Sequence, residues 1–449
     1  MGNIISDFGT IVPMRIAIIG GGFTGLTAAY EVSKAGNHVT VFEKEAHLGG
    51  LAYGFRSPHW TWHIEAAYHH LFTNDTHILG LIRDLHLSDS LIIKRPVTST
   101  LWNGRMYQLD SPMHLLLFPG LPAVDKIRTA ATLGFFKFWP FWRALESVTA
   151  EQLLVSIGGK RAWKAIWEPL LYGKFGVHAP HVAASWFWAR IVKRTPRLCY
   201  IRGGFHTLIL SLQHAITASG GIIHTGSTVD SITRIGKSFT VTYGRKSITV
   251  DRVLVTLPTP LALKLIPIPS HYTKDLLTIP HLHAQTLILE TDRPLLKRVY
   301  WLNVTDKKAP FLAAVAHTNF MDPKYYGGKH LTYFGNYLPP NHPYLTMTKE
   351  QLFKEFLPYI KKLCPSIMNE RKSMRSYMFV GPFAQPVHEK HYSRKIPPIG
   401  TPIPGLYMAN MDYIVPWDRG TNYAVELGKR AAKLIQASPS FPRTRETRV

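Results

Sequence analysis

Gly20, Gly22 and Gly25 stand at the spacing G-x-G-x-x-G, and Glu43 follows 18 residues after the last of them. The three glycines lie between a short apolar run, Arg15-Ile16-Ala17-Ile18-Ile19, and a helical pattern carried by Leu26, Ala29, Val32 and Ala35. Each glycine has a distinct physical use: Gly20 permits a tight turn, Gly22 lets the backbone approach a pyrophosphate, and Gly25 lets helix and strand pack closely. The N–H groups at the helix start, around Phe23 and Thr24, and the positive end of the helix dipole then suit phosphate oxygens. Glu43 is placed to accept hydrogen bonds from adenosine ribose hydroxyls. Its charge repels a 2′-phosphate, so NADP is not expected. A strand, a helix, the spacing and the acid all agree, which makes dinucleotide binding the leading chemistry.

A second group is Glu65-Ala66-Ala67-Tyr68-His69-His70, dense in polar aromatic side chains. Adjacent histidines seldom converge on one metal, so no metal site is expected. Tyr68, His69 and His70 are read as lining the reacting face, the alternative being ordinary core or surface histidines. Further along, Lys174, Arg190 and Arg202 are candidates to face an anionic substrate. His317-Thr318-Asn319, Tyr333 and Tyr337 are candidates for the pocket wall, and Trp417-Asp418-Arg419 precedes the last helical pattern. Aromatics as dense as those from Trp167 to Arg190 are more often core. No Ser–His–Asp order or carboxylate pair is defined by spacing. The catalytic residues are therefore left as candidates: Tyr68, His69, His70, Tyr333 and Trp417.

These groups need a scaffold, and the chain supplies an α/β one. His38 to Glu43 reads as the second strand of a βαβ unit after the helix that Gly36-Asn37 ends. A helix is expected over 205–218 and a strand over 221–224. A hairpin is expected from Ser238–Tyr243 and Lys246–Val250, a strand over 251–257, another over 405–410, and a helix over 421–436. The chain is thus expected to leave and re-enter one Rossmann-like domain, 14–95, 198–259 and 399–437. A substrate domain, 96–197 and 260–398, is inserted, its first part tryptophan-rich and helical and its second mixed. Residues 1–13 and 438–449 are expected to be flexible ends.

At Gly49-Gly50, followed by Leu51-Ala52, the sequence resembles the FAD-binding amine-oxidase superfamily, which includes protoporphyrinogen oxidase, the phytoene desaturases and, more distantly, UDP-galactopyranose mutase. The likeness continues at Gly203-Gly204, Ser227-Thr228-Val229, Val253–Pro258, Gly405–Asn410 and Pro416–Val425. It implies a Rossmann-like FAD-binding domain with an inserted α+β substrate domain. On the cofactor side it implies Gly20, Gly22, Phe23, Thr24, Gly25, Glu43, Lys44, Gly49, Gly50, Leu51, Val229, Thr256, Asn410, Asp412, Gly420, Thr421 and Asn422. Val229 would meet adenine through its backbone, Asn410 to Asp412 would sit near the ribityl chain and phosphate, and the helix from Thr421 would aim its N–H groups at the flavin N1/O2 edge. Two departures stand out: Leu51 replaces the family's frequent Arg, and no cysteine lies in the segment before Gly405, so FAD is expected to be non-covalent. The implied activity is hydride abstraction from a C–N or C–C bond of a bulky substrate. Alternatives are a redox-neutral flavoenzyme resembling the mutase and a flavin-binding, membrane-associated protein without turnover. No second G-x-G-x-x-G occurs, so the electron acceptor would be oxygen, a quinone or another carrier.

Composition narrows the setting. The 449 residues carry 52 Lys+Arg against 28 Asp+Glu, a formal charge of +24, with 46% apolar residues. The cations are dispersed, with no block of five and no nucleic-acid motif beside them, so nucleic acid is not an expected partner. An anionic substrate, anionic lipid or plain solubility remain open. Cys199 and Cys364 are the two cysteines, which excludes a disulfide framework. Met1–Val12 lacks a secretory pattern, and Met1-Gly2-Asn3-Ile4-Ile5-Ser6 matches an acylation motif that chance explains as well. A cytoplasmic protein acting on a small or lipid-like substrate is expected. Leu, Phe and Trp interleaved with Lys and Arg from Met113 to Trp142 suggest a peripheral membrane contact, the alternative being an internal helix pair.

Overall fold

β1 (Arg15–Ile19), α1 (Phe23–Lys34) and β2 (His38–Phe42) form the βαβ unit that the glycine spacing requires. The computed structural model describes residues 13–369 and 374–437; the acylation motif and, apart from Pro13, the two expected flexible ends lie outside the described residues. β3 (Ile222–His224), β4 (Arg252–Val255) and β5 (Leu406–Met408) complete a parallel sheet in the order β3-β2-β1-β4-β5. Helices cover parallel strands on both faces, which is why β1 and β4 read as nearly unbroken apolar runs. α2 (Thr421–Ala437) packs on α1 so tightly that a Cβ at Gly428 would lie 2.5 Å from the Thr24 carbonyl oxygen.

The helix Phe205–Ala218 and the hairpin Ser238–Tyr243/Lys246–Val250 have the boundaries that the sequence predicts. The hairpin gains a third strand, Ser231–Ile235, which sequence reading missed. Thr233, Arg234 and Ile235 are exposed there, so apolar alternation is weak.

A second, seven-stranded sheet runs in the order Arg375–Pro386, His281–Thr291, His330–Leu338, Ala313–Ala316, Val299–Val304, Val97–Trp102, Arg105–Gln108. The last two strands correct the expectation of a helical stretch from Pro96 onward. They form a hairpin whose turn, Asn103-Gly104, has positive φ at both residues (47° and 76°). Such a pair is the strongest local hairpin signal, because both positions need the left-handed region. Helices follow from Pro112 to Lys193, gathered around Phe136, Trp163, Trp186, Phe187 and Trp188, so the aromatic density there is mainly core.

Candidate active site

The end of β1 and the start of α1 form a cradle in which three glycines serve different ends. A Cβ at Gly20, where φ is +115°, would lie 2.4 Å from Thr256 Oγ1, and one at Gly25 would lie 2.0 Å from the Gly20 carbonyl oxygen. Both are held to glycine by the protein's own packing. At Gly22 the only neighbour within reach is Gly50 Cα at 4.0 Å, so the space in front of it is open. Gly22 also caps α1 without a side chain, and no acidic residue occupies the first turn. The leading N–H groups of α1 have no intrahelical partner, and the dipole puts positive charge there. A pyrophosphate fits this donor set.

Glu43, buried at the end of β2, accepts the Gly21 N–H at 2.7 Å through Oε2 and the Glu45 N–H at 3.0 Å through Oε1. The Gly49 N–H donates to the Gly21 carbonyl at 2.9 Å, which lays Gly49-Gly50 beside the cradle. Thr256, at the end of β4, donates both its N–H and its hydroxyl to the Ile19 carbonyl at 2.9 Å, locking the tip of β1. Phe23 is buried edge-on against Phe205, so it offers the cradle its backbone only. Val229 is buried, whereas Lys44 is exposed and pairs with Glu45 at 3.0 Å.

Three side chains expected near the cofactor have other work. Asn410 donates to the Leu257 carbonyl at 2.8 Å and to Thr259 Oγ1 at 3.1 Å, and its carbonyl accepts the Asp412 N–H at 3.0 Å. Asp412 accepts the Thr259 hydroxyl at 2.7 Å and sits 2.6 Å from His281 Nε2. Asn422 Oδ1 accepts the N–H groups of His77 and Ile78 at 3.0 and 3.1 Å, so it caps the Thr76–Asp84 helix. These segments also offer a ligand backbone donors, the N–H groups that open α2 after Gly420.

Beyond the cradle, a narrow cavity lies between the seven-stranded sheet and the segments carrying Leu51 and Tyr68. Its walls include Leu51, Tyr68, His69, Thr286, Asn336, Tyr337 and Arg419. The sheet offers small residues there: a Cβ at Gly335 would lie 2.5 Å from the Tyr68 ring, and one at Gly381 would lie 2.7 Å from Leu51 Cδ2. Burial raises the Tyr68 hydroxyl to about 12 and lowers His69 to about 4, so at neutral pH both are uncharged. His69 Nδ1 lies 2.6 Å from the Ala67 carbonyl, which can only accept, so Nδ1 carries the proton and Nε2 keeps a lone pair. His70 stands behind, 3.2 Å from the Tyr300 hydroxyl, lowered to about 3 chiefly by burial and then by nearby Arg194.

Two candidates move. Tyr333 is fully buried and donates to the Glu65 carbonyl at 2.8 Å, behind Tyr68; Tyr337, two pleats along on the same strand face, reaches the cavity instead. Trp417 is stacked between Trp188 and Tyr423, with ring centroids 5.5 and 5.7 Å away, so it anchors the loop before α2; Arg419 takes the cavity wall. In the sequence, Arg419 stands out only as part of the tripeptide Trp417-Asp418-Arg419.

Lys174 and Arg190, expected to face an anionic substrate, converge on Asp418 at 3.2 and 2.6 Å. Asp418 also accepts from Trp186 Nε1 at 2.9 Å and Gln385 Nε2 at 3.1 Å. Although burial opposes it, the two cations hold its carboxyl well below the usual carboxylate range. Arg419 donates to Gln385 at 3.0 Å and stands 4.8 Å from the Tyr337 ring centre. Arg202 is exposed elsewhere, and His317 is buried against Tyr326 at 2.7 Å, away from the cavity walls.

The zeta-carotene desaturase of Capsicum annuum is 26% identical over 197 residues, covering 38% of this chain and 33% of that protein. Curated relatives are matched over only 31% to 43% of their own lengths. The fold is similar to that of a candidate protoporphyrinogen oxidase from Exiguobacterium, with a TM-score of 0.76, 17% identity and 95% and 99% of the two chains covered. It is also similar to a reduced UDP-galactopyranose mutase, with a TM-score of 0.72, 14% identity and 95% and 96% coverage. The profile of flavin containing amine oxidoreductases matches residues 23–436, and the chain belongs to that family.

Proposed function

We propose that this chain binds FAD non-covalently and removes two hydrogens, as hydride and proton, from a C–C or C–N bond of a bulky, lipid-like substrate. The observation that carries the reading is the open cradle at Gly22 beside a cavity walled by Tyr68, His69 and Arg419. In it, residues 14–95, 198–259 and 399–437 hold the cofactor, and 96–197 with 260–398 hold the substrate.

The phosphates would lie on the N–H groups opening α1, and the ribose hydroxyls against Glu43. The N–H groups opening α2 would face the electron-rich edge of the ring system. Bound flavin supplies a hydride acceptor. The protein then has to orient the substrate, exclude water and take a proton. Leu51 and Tyr337 wall the cavity, and Gly335 and Gly381 let the Tyr68 ring and the Leu51 side chain pack directly on the sheet. His69 Nε2, unprotonated at neutral pH, is the proton acceptor of this scheme, and the Tyr68 hydroxyl stays protonated as a donor. The same reading includes a cytoplasmic setting at a membrane surface.

Anaerobic single-turnover reduction tests it. A polyene, porphyrinogen or amine that bleaches the bound flavin supports the proposal. Turnover of a sugar nucleotide only after dithionite reduction would favour the redox-neutral alternative, and failure of every substrate class would favour a protein without turnover. Yellow colour that stays with acid-precipitated protein would overturn non-covalent binding.

A further inference from the structure

The helix Ala123–Phe138 is apolar on its outer face as well as toward the core. Its buried face carries Thr129 and Thr132, whose hydroxyls donate to the carbonyls of Asp125 and Arg128 at 2.7 and 2.8 Å, with Phe136 beside them. Its outer face carries Val124, Ile127 and Phe138, which are 75%, 67% and 85% exposed. With Ala131 and Gly134 between them, the spacing is three and four residues in alternation, so these positions make one stripe along the whole helix. A surface helix that packs only on its own protein carries polar residues on the outer face.

The stripe continues onto neighbouring elements. Met113, Leu116 and Leu117 are exposed on the helix Pro112–Leu117, which Lys126 joins by donating to the Leu116 carbonyl at 2.6 Å; Phe141 is exposed beyond the other end. Cations border it. Arg128 holds the Ser156 and Ile157 carbonyls and Lys137 the Val192 carbonyl, so both contact backbone oxygens rather than carboxylates. From Pro112 to Arg143 there are four cations, Lys126, Arg128, Lys137 and Arg143, against one anion, Asp125. Trp139 and Trp142 stand at the helix end, half-buried. No helix among the described residues is long and apolar enough to cross a membrane.

We propose that this stripe lies in the headgroup and upper acyl region of an anionic phospholipid bilayer, with the Ala123–Phe138 helix parallel to the membrane plane. Apolar side chains on one face, a basic border and aromatic residues at the end are what an interfacial helix requires. The charge excess selects an anionic bilayer over a neutral protein surface. The placement also has a use: this helix packs on Ala184–Lys193, whose Arg190 reaches Asp418 beside the cavity. A lipid-like substrate would then enter through one layer of helices. The inference rests on the membrane setting of the proposed function and gives it a surface, and lipid binding tests it whatever the substrate proves to be.

The test is sedimentation of the full-length protein with vesicles of phosphatidylcholine alone and of two parts phosphatidylcholine to one part phosphatidylglycerol. The protein should pellet with the anionic vesicles, with added salt weakening but not abolishing the binding. Tryptophan emission should shift to the blue, and a Trp139→Phe/Trp142→Phe variant should bind but lose most of that shift. The variant Val124→Glu/Ile127→Glu/Phe138→Glu should bind at least about tenfold more weakly with unchanged circular dichroism. Ile235→Glu, on the three-stranded sheet, should bind like wild type. Wild-type protein that stays in the supernatant at low salt overturns the proposal, as does a triple variant that pellets equally. So does a wild-type dimer that the triple variant dissolves without any vesicle binding, because a second copy then covers the stripe. Should the triple variant not fold, the comparison of wild type with Trp139→Phe/Trp142→Phe decides the matter: an equal shift in both overturns the proposal.

Discussion

Oδ2 of Asp418 lies 2.6 Å from Nη1 of Arg190, joining the loop before α2 to the helix Ala184–Lys193. Lys174 shares the same oxygen at 3.2 Å, so one carboxylate compensates two cations where the helical layer meets the cavity.

Asp418→Asn should therefore destabilise the protein by about 2–3 kcal/mol, toward the low end for a broken buried pair, because Arg190 is 40% exposed. Urea unfolding measures this. Asp418 titrates far below its unfolded value, so its contribution is full above roughly pH 4 and fades only in stronger acid. A wild-type transition that already weakens through this group near neutrality would contradict the assignment.

The cradle predicts opposite outcomes for two neighbouring glycines. Gly22→Ala has room for its methyl and should leave thermal stability of the FAD-free protein nearly unchanged while weakening FAD binding at least about tenfold. Gly25→Ala, with its methyl 2.0 Å from the Gly20 carbonyl, should lose about 1–3 kcal/mol of stability even without cofactor. Flavin fluorescence titration and calorimetry separate the two effects.

Glu65 makes stability depend on pH in the opposite sense to an ordinary ion pair. Its buried carboxylate accepts the Tyr200 hydroxyl at 2.8 Å and the Phe205 N–H at 2.8 Å, yet burial dominates and raises it from 4.5 to about 7. Its contribution is present below the unfolded value and is lost as pH rises through about 7. Glu65→Gln should remove that loss, so the wild-type deficit relative to the variant should grow by roughly 3 kcal/mol between pH 4.5 and 8, at ~1.4 kcal/mol per unit. Parallel pH profiles of the two proteins would refute it.

His70 acts on the acid side. Held at about 3 from an ordinary 6.5, it supports the fold above pH 6.5 and withdraws that support as pH falls. His70→Gln keeps an acceptor for Tyr300 and should lower the slope of unfolding free energy against pH by up to one proton between pH 6 and 4. An unchanged slope would place His70 in contact with water.

The βαβ unit, the helix after Gly204 and the helix after Gly420 were legible because local pattern alone dictates them: near-continuous apolar strands, glycine spacing and a helical period. The Val97–Gln108 hairpin was also announced, by Asn103-Gly104, but the tryptophan-rich stretch behind it suggested helix. The site was less legible. Tyr333 and Tyr337 share one face of one strand, and only the pairing of that strand with His281–Thr291 decides which of them meets the cavity. Trp417 and Arg419 differ in the same way, since stacking against Trp188 depends on a helix more than 220 residues earlier. Gly335, Gly381 and Gly428 matter through a missing Cβ against a distant partner, which no local pattern displays.

Tyr68 over Gly335 and Leu51 over Gly381 leave the cavity's roof and floor with unequal freedom to change. The floor belongs to a seven-stranded sheet whose register fixes every neighbour, whereas the roof is two side chains on segments outside that sheet. Trimming Leu51, which the proposed chemistry does not use, enlarges the chamber without disturbing a strand, so on that reading larger substrates are open to this protein through a single substitution in the roof, on an unaltered frame.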